Sequence, residues 1–249
     1  MSWRAVAACA TGVAHVARGR GCDDCGAVLQ LDDATLAMVV ADGAGSAACG
    51  AQGAAGAVAA IGAALRARQA GGQPLTDAEC ATGMLAAARA AVEAEASATD
   101  RPLRDYASTL VALVADDTRT LLLQIGDGAA VIDLGDGFTL PVEPMSGEYA
   151  NMTRFFTDDD ADAHCALRLY ERPLRRAALF TDGLQRLLLD LSTMQPHAPA
   201  LERLLAPLSQ PAAADPQALQ AALARFLDSA AVNARTDDDK TLALALRLD

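Results

Sequence analysis

The sequence predicts an α+β sandwich, antiparallel sheets inside and helices outside, on three observations. Short apolar, strand-like segments come in groups near the start and through the middle, and a last one closes the chain. Two alanine-rich helical patterns separate the first groups, and further helical patterns precede the final strand. No internal repeat or linker divides the 249 residues, enough for one well-buried domain over 1–249.

The first strands fall at residues 4–9, 27–31 and 35–41. The third, TLAMVVAD, is a continuous apolar run ending on an acid, as a buried strand should be. In ADGAGSAACGAQGAAGAVAAIGAALRARQ, Ser46 can cap a helix made almost wholly of Ala and Gly until Arg66. Side chains this small let a helix lie close against a sheet, and Gly71-Gly72 ends it. A second helix runs from about Thr76 to Ala98, with Glu79 completing a capping box. Strands at 107–115, 120–125 and 129–134 are separated by Asp116-Asp117 and Gly126-Asp127-Gly128, a spacing that predicts antiparallel hairpins. Residues 143–162, with Pro, Gly and Asn, read as an extended loop or flap. Strands return at 166–171 and 175–181, helical patterns at 184–191, 200–208 and 215–231, and the alternating TLALALRL forms a last strand at 241–248.

Composition bounds the function. The hydrophobic fraction is 52% but aromatics are only 4%, so the interior is close-packed around alanine. With 20 basic and 32 acidic residues the net charge is −12, which repels phosphate backbones and excludes nucleic-acid binding by a basic face. It leaves carboxylates free for cations. No run of about 18 charge-free apolar residues reads as a membrane span. Residues 1–17 resemble a signal peptide only weakly, since Gly12 and His15 interrupt an Ala/Val stretch, and a first strand is the better reading. The six cysteines are then expected as thiols in a reducing cytoplasm, with Cys9, Cys49, Cys80 and Cys165 as small buried hydrophobes. Cys22 and Cys25 form a lone CxxC without a second pair at zinc-finger spacing.

Five acidic sites share one pattern, an apolar strand and an Asp, usually with Gly beside it. They are Asp23-Asp24 after Cys22, Asp42 in VVADGAGS, Asp127 in LLLQIGDGA, Asp182 in AALFTDGL and Asp238 in TDDDKTLALAL. A carboxylate at a strand end is held by rigid backbone while its oxygens face outward, and an adjacent glycine permits close approach. Hard divalent cations such as Mg²⁺ and Mn²⁺ take oxygen ligands of this kind. A single Asp-Gly is more often a turn, and Asp136-Gly137 is read so; Asp116-Asp117 and residues 158–160 are read as solvated loop acids. Spacing alone leaves turns and a metal site as alternatives.

The ordered motifs ADGAGS, ASTLVALV, IGDGA, FTDGL and DDKTLALAL resemble those of the PP2C-type (PPM) metal-dependent protein phosphatases, their bacterial branch above all. GVAHVARGRGCDD resembles that branch's first motif and SGEYANMTRFF its flap-region segment, so the likeness spans residues 12–246. The resemblance implies a four-layer αββα sandwich with metals in a cleft at one edge. It implies two or three divalent cations, Mn²⁺ or Mg²⁺. Asp42 would bridge two ions, the Gly43 carbonyl would complete one of them, and Asp182 and Asp238 would hold the other. Asp24, with or without Asp23, would act through coordinated water, and Asp127 would help Asp182 hold a third, weaker ion. Asp42, Asp182 and Asp238 are therefore the expected catalytic residues. Two neighbouring cations lower the pKa of a shared water, giving hydroxide near neutral pH to attack phosphorus in line. No protein nucleophile is needed, and no Ser-His-Asp or Cys-His constellation stands out.

The sequence departs from the family pattern at two places. Eukaryotic members carry a proposed general-acid histidine where Ala44 stands, and many members carry a phosphate-clamping arginine where Gly19 stands, between Arg18 and Arg20. His15 reads as a hydrogen-bonded structural residue, and His164 and His197 show no partner pattern. The leading function is a phosphoserine/phosphothreonine protein phosphatase of a bacterial cytoplasm, acting on a phosphorylated protein and opposing a Ser/Thr kinase. The competing readings are a catalytically weak regulatory or phosphoprotein-binding module, kept open by Ala44 and Gly19, and a phosphatase of small metabolites.

Overall fold

The computed structural model describes residues 2–145, 153–210 and 215–248, so most of the flap-region segment SGEYANMT lies outside the described residues. The chain forms β1 (Ser2–Ala10), α1 (Val13–Ala17), β2 (Asp24–Gln30), β3 (Leu36–Asp42), α2 (Gly50–Ala70), α3 (Ala78–Ala98), β4 (Leu110–Ala115), β5 (Thr120–Ile125), β6 (Ala129–Asp133) and β7 (Phe138–Thr139). There follow α4 (Ala161–His164), β8 (Ala166–Tyr170), β9 (Arg176–Phe180), α5 (Gln185–Leu188), β10 (Leu189–Asp190), β11 (Gln195–Pro196), α6 (Ala198–Ser209), α7 (Pro216–Leu227), α8 (Ala230–Asn233) and β12 (Lys240–Leu248).

Strand alternation sets the layers. On β3, Leu36, Met38 and Val40 join a core with Trp3, Ala177, Leu179 and Ala243 of the opposite sheet. Ala37, Val39 and Ala41, the odd-numbered residues, pack instead with Ala54, Ile61, Met84 and Val92 of α2 and α3. The outer face of the other sheet is covered by Leu188, Leu201, Leu205, Leu223 and Leu227 of α5–α7. Fully burying each such leucine stabilises by about 1.5–3 kcal/mol. The result is the expected αββα sandwich, with antiparallel sheets ordered β1-β12-β9-β6-β7 and β2-β3-β4-β5-β8. The small-residue helix lies close against the sheet as its composition implies, since a Cβ on Gly62 would lie 2.9 Å from Leu29 Cδ2 of β2.

Some local expectations change. Ser46 caps nothing: the Ala44 N–H bonds the Ala107 carbonyl (2.9 Å) and the Cys49 N–H bonds the Asp105 carbonyl (2.7 Å), so the segment is committed elsewhere and α2 starts only at Gly50. Asp77 rather than Thr76 caps α3, its carboxylate taking the Cys80 N–H at 2.7 Å, while Thr76 donates to Asp116. The helical pattern at 184–191 stops at Leu188, where Leu189 and Asp190 pair with Pro196 and Gln195. The long final helix breaks between α7 and α8 at Asp228 and Ser229. Of the four cysteines expected to be buried, Cys80 is, whereas Cys9, Cys49 and Cys165 are half-buried. Asp136-Gly137 is a hairpin turn as read, between β6 and β7, with Asp133 accepting from Gly135 and Gly137.

The largest departure matters for function. β5 and β6 are not a hairpin: β5 pairs with β4 and β8, while β6 pairs with β7 and β9 in the other sheet. Gly126, at φ +97°, swings the chain across and leaves Asp127 where the two sheets meet. A Cβ there would lie 2.6 Å from Thr109 Cγ2, in a backbone region that L-residues rarely adopt. Gly126→Ala is expected to destabilise the fold by about 1–3 kcal/mol. A denaturant melt matching the unmodified protein would contradict this role for the crossover.

Candidate metal centre

The two sheets are stitched together at one end by carboxylates. Asp24 opens β2 directly opposite Asp42, which closes β3. Thr181, following β9 in the other sheet, donates its hydroxyl to Asp24 (2.7 Å) and accepts the Thr241 N–H (3.0 Å). Asp239, just before β12, takes the N–H groups of Gly12 and Asp23, each at 2.6 Å. Gly183 has no room for a side chain, because a Cβ would strike the Asp239 carbonyl.

The ASTL segment supports Asp42 from behind. The Asp42 N–H donates to Thr109 Oγ1 (3.1 Å), the Thr109 N–H donates to the Asp42 carbonyl (2.9 Å), and Gly43 bridges to Ser108. Thr153 donates to Asp127 Oδ2 (2.8 Å), and Gln185 holds the Asp127 carbonyl (2.6 Å). Asp182 stands in a 3₁₀ turn, Asp182–Leu184, immediately after Thr181. Asp42, Gly43, Asp127, Asp182 and Asp238 line one cleft of about 700 Å³. Asp42, Asp127 and Asp182 offer oxygens all within 4.8 Å of one another. Asp238 sits on the wall outside that triad, accepting the Asp239 N–H at 2.8 Å. Asp24 lies buried behind Asp42 rather than among the residues that line the cleft.

Crowded acids titrate abnormally. Burial, then the charges of Asp24, Asp182, Asp127 and Asp238, raise the Asp42 carboxyl well above the usual range. Burial with Asp127 and Asp238 brings Asp182 to about 7, and burial with Asp239 and Asp182 brings Asp24 to about 7 despite the Thr181 hydrogen bond. Asp127 is raised by burial and by Asp238. Asp24 Oδ1 and Asp127 Oδ1 are buried without any hydrogen-bond partner. Unsatisfied carboxylate oxygens beside an all-oxygen donor set fit hard divalent cations.

A second group, His15, Asp23 and Asp239, also brings ligand atoms within 4.8 Å. Its capacity is already used: Asp239 bonds two N–H groups and lies 2.9 Å from His15 Nδ1, which bonds the Gly21 carbonyl, and Asp23 bonds Arg20 (2.5 Å). Sequence reasoning missed Asp239, whose place in the DDD run gave no sign that it reaches across to the other sheet. Of the two arginines flanking Gly19, Arg20 is committed to Asp23 and the Gly45 carbonyl, whereas Arg18 lines the cleft with no polar partner among the described residues. His197 proves to be a cap, accepting the Ala200 N–H. Burial and Asp24 push the Cys22 thiol up, away from thiolate chemistry.

The fold and the carboxylate cleft define a chain suited to holding divalent cations where two antiparallel sheets meet. Residues 11–228 match the model of the protein phosphatase 2C family, and the chain belongs to that family. It is 41% identical over 250 residues to serine/threonine-protein phosphatase 3 of Escherichia coli (strain K12), covering 99% of each chain. Its fold is similar to that of serine/threonine phosphatase Stp1 from Staphylococcus aureus, with TM-score 0.65, 16% identity, and 100% and 96% of the two chains covered. It is also similar to the catalytic domain of the phosphatase PstP, solved with two manganese ions, with TM-score 0.59, 19% identity and 99% of each chain covered.

The raised carboxyls set a stability window. Unfolded aspartate titrates near 3.9, so between about pH 4 and 7 the folded, metal-free chain holds protons that the unfolded chain releases. Its stability must therefore fall as pH rises through that window, while the depressed carboxyls, Asp133 among them, act only below about pH 4. Melts in chelator should be higher near pH 5 than near pH 8, and saturating Mn²⁺ should raise the melt most near pH 8. A metal-free melt that rises with pH would refute the assignment.

Proposed function

We infer that the carboxylate cleft is the active site of a metal-dependent phosphoserine/phosphothreonine protein phosphatase. As a protein phosphatase 2C, the chain is a hydrolase of phosphomonoesters, and its 41% identical relative is a serine/threonine-protein phosphatase. The observation that carries the site is the approach of Asp42, Asp127 and Asp182 to within 4.8 Å on rigid strand ends. Asp42, Asp182 and Asp238 are the acting ligands, with the Gly43 carbonyl beside them; Asp127 serves a third ion and Asp24 acts through coordinated water. Manganese or magnesium suits these oxygen donors equally. When bound, such ions supply an activated water and neutralise charge on the phosphoryl oxygens.

The protein's own share is to orient and admit. Among the described residues that line the cleft, Arg18 is the guanidinium without a polar partner, and it grips the phosphate, the task that Gly19 cannot perform. The clefted edge is open enough for a phosphorylated side chain on a protein, the product of a Ser/Thr kinase that this enzyme opposes. Residues 1–249 act as one domain, since both sheets share a single inter-sheet core. The free cysteines suit a reducing cytoplasm. Among the described residues no helix is long and apolar enough to cross a membrane.

Hydrolysis of p-nitrophenyl phosphate should require Mn²⁺ or Mg²⁺ and vanish in chelator. Asp182→Asn or Asp42→Asn should cost more than the roughly 10–100-fold typical of losing an outer-shell partner. Arg18→Ala should lower kcat/KM on a phosphopeptide about tenfold, the loss of one charge-assisted hydrogen bond, with Arg20→Ala less affected. Undiminished activity in Asp182→Asn would defeat the assignment.

A further inference from the structure

Hydrolysis of a serine or threonine phosphate expels an alkoxide, a far poorer leaving group than a phenolate, and it needs a proton. Where eukaryotic relatives place a histidine, this chain has Ala44, which offers none. The other side chains of the cleft are poorly suited. The carboxylates are acceptors when ionised, and arginine does not give up its proton. Thr109 Oγ1 is engaged by the Asp42 N–H and Thr153 donates to Asp127. Ser46 is exposed and has no base beside it to cycle its proton.

His15 is different. Helix α1 is seated on the Asp237–Asp239 segment through the Ala14 N–H, which bonds the Asp237 carbonyl at 2.9 Å. Ala14 and His15 of α1, with Arg18 just after it, line the same cleft as Asp42 and Asp182. His15 is buried, its Nδ1 bonds the Gly21 carbonyl (3.3 Å), and the Asp239 carboxylate lies within ion-pair reach of the same nitrogen (2.9 Å). Asp239 is itself locked by two backbone N–H groups, so the carboxylate beside the imidazole cannot drift. Nε2 has no hydrogen-bond partner among the described residues, and His15 is one of the residues that line the cleft. An imidazole oriented at one nitrogen by a backbone carbonyl with a buried carboxylate beside it, and without a partner at the other, suits directed proton transfer.

We propose that His15 is the general acid of this enzyme, taking over from a different element the role left vacant at Ala44. The proposal rests on the phosphatase reading above. The bond between phosphorus and the seryl or threonyl oxygen breaks as the oxygen of water bonds to phosphorus. The departing oxygen takes the proton from Nε2, and the imidazole regains one from the water consumed. Water and phosphomonoester thus yield alcohol and phosphate, with no other reactant.

The test compares leaving groups. With Mn²⁺ saturating, the unmodified enzyme, His15→Ala and His15→Gln are assayed on a phosphoseryl peptide and on p-nitrophenyl phosphate, whose nitrophenolate departs without a proton. His15→Gln can still bond Asp239 and carries the test if the alanine variant does not fold. The general-acid role predicts a loss of about 10²–10⁴-fold on the phosphopeptide and less than about tenfold on the aryl ester. Equal losses on both substrates would show that His15 only supports the fold or the ions, and would overturn the proposal, as would full activity on the phosphopeptide. An unmodified enzyme inactive on both substrates fails the phosphatase reading itself, a result distinct from either.

Discussion

The stitching of two sheets by Asp239 and by the Asp24–Thr181 bond is the constraint on which the rest depends. These contacts run between strand ends of different layers, and they bring the acidic ends of β3, the Gly126 crossover and the turn after β9 to one place. Like charges about 4 Å apart repel by roughly 4 kcal/mol at the effective dielectric near a protein surface. Whole domains are stable by only about 5–15 kcal/mol, so several such pairs cannot stay ionised and uncompensated. The folded chain must carry protons or cations there. The sandwich core can tolerate that cost because its burial is supplied by three apolar layers.

The residues that make the cluster feasible are small rather than acidic. Thr153 and Thr181 each donate a hydroxyl to one of the acids and Thr109 accepts the Asp42 N–H, which fixes orientation without adding charge. Glycine at 43 and 183 lets backbone pass where any side chain would collide. The same economy governs α2, whose alanines and glycines bring it against the sheet. A bulkier helix would lift the 43–49 segment off the Asp105 and Ala107 carbonyls that position it.

Much of this was legible in the sequence because it depends on period and punctuation. β5 was readable to the residue, and β3, α2, α3 and β12 to within a few residues, since each is a long apolar or alanine-rich run. What escaped was set by tertiary competition. Ser46 and Thr76 are good caps that lost to carbonyls and carboxylates elsewhere in the fold, and the hairpin expected after β5 failed because Gly126 serves a crossover between layers. The acids of the cleft could be picked out, as each ends or opens an apolar strand. Their division could not: nothing in TDDDK distinguishes Asp238, on the cleft wall, from Asp239, which faces inward beside His15. Nor could the sequence say which of Arg18 and Arg20 is free, because that depends on Arg20 meeting Asp23.

Charge then dictates the order of events at the cleft. A phosphate dianion approaching a chain of net charge −12 meets a wall of carboxylates, with Arg18 the free cation among the described residues that line it. One guanidinium cannot outweigh five aspartates. Cations therefore have to precede substrate, making the centre selective for loading before it is selective for chemistry. Once they are in place the same aspartates cease to repel, and the cleft becomes net attractive to an anion for which the apo chain has no affinity. Proton supply is the remaining asymmetry. Cations can generate the attacking water on one side of phosphorus, but the leaving oxygen departs on the other, where a donor must already be fixed. His15 on α1, which is packed on the segment that carries Asp238, is the residue proposed to meet that requirement.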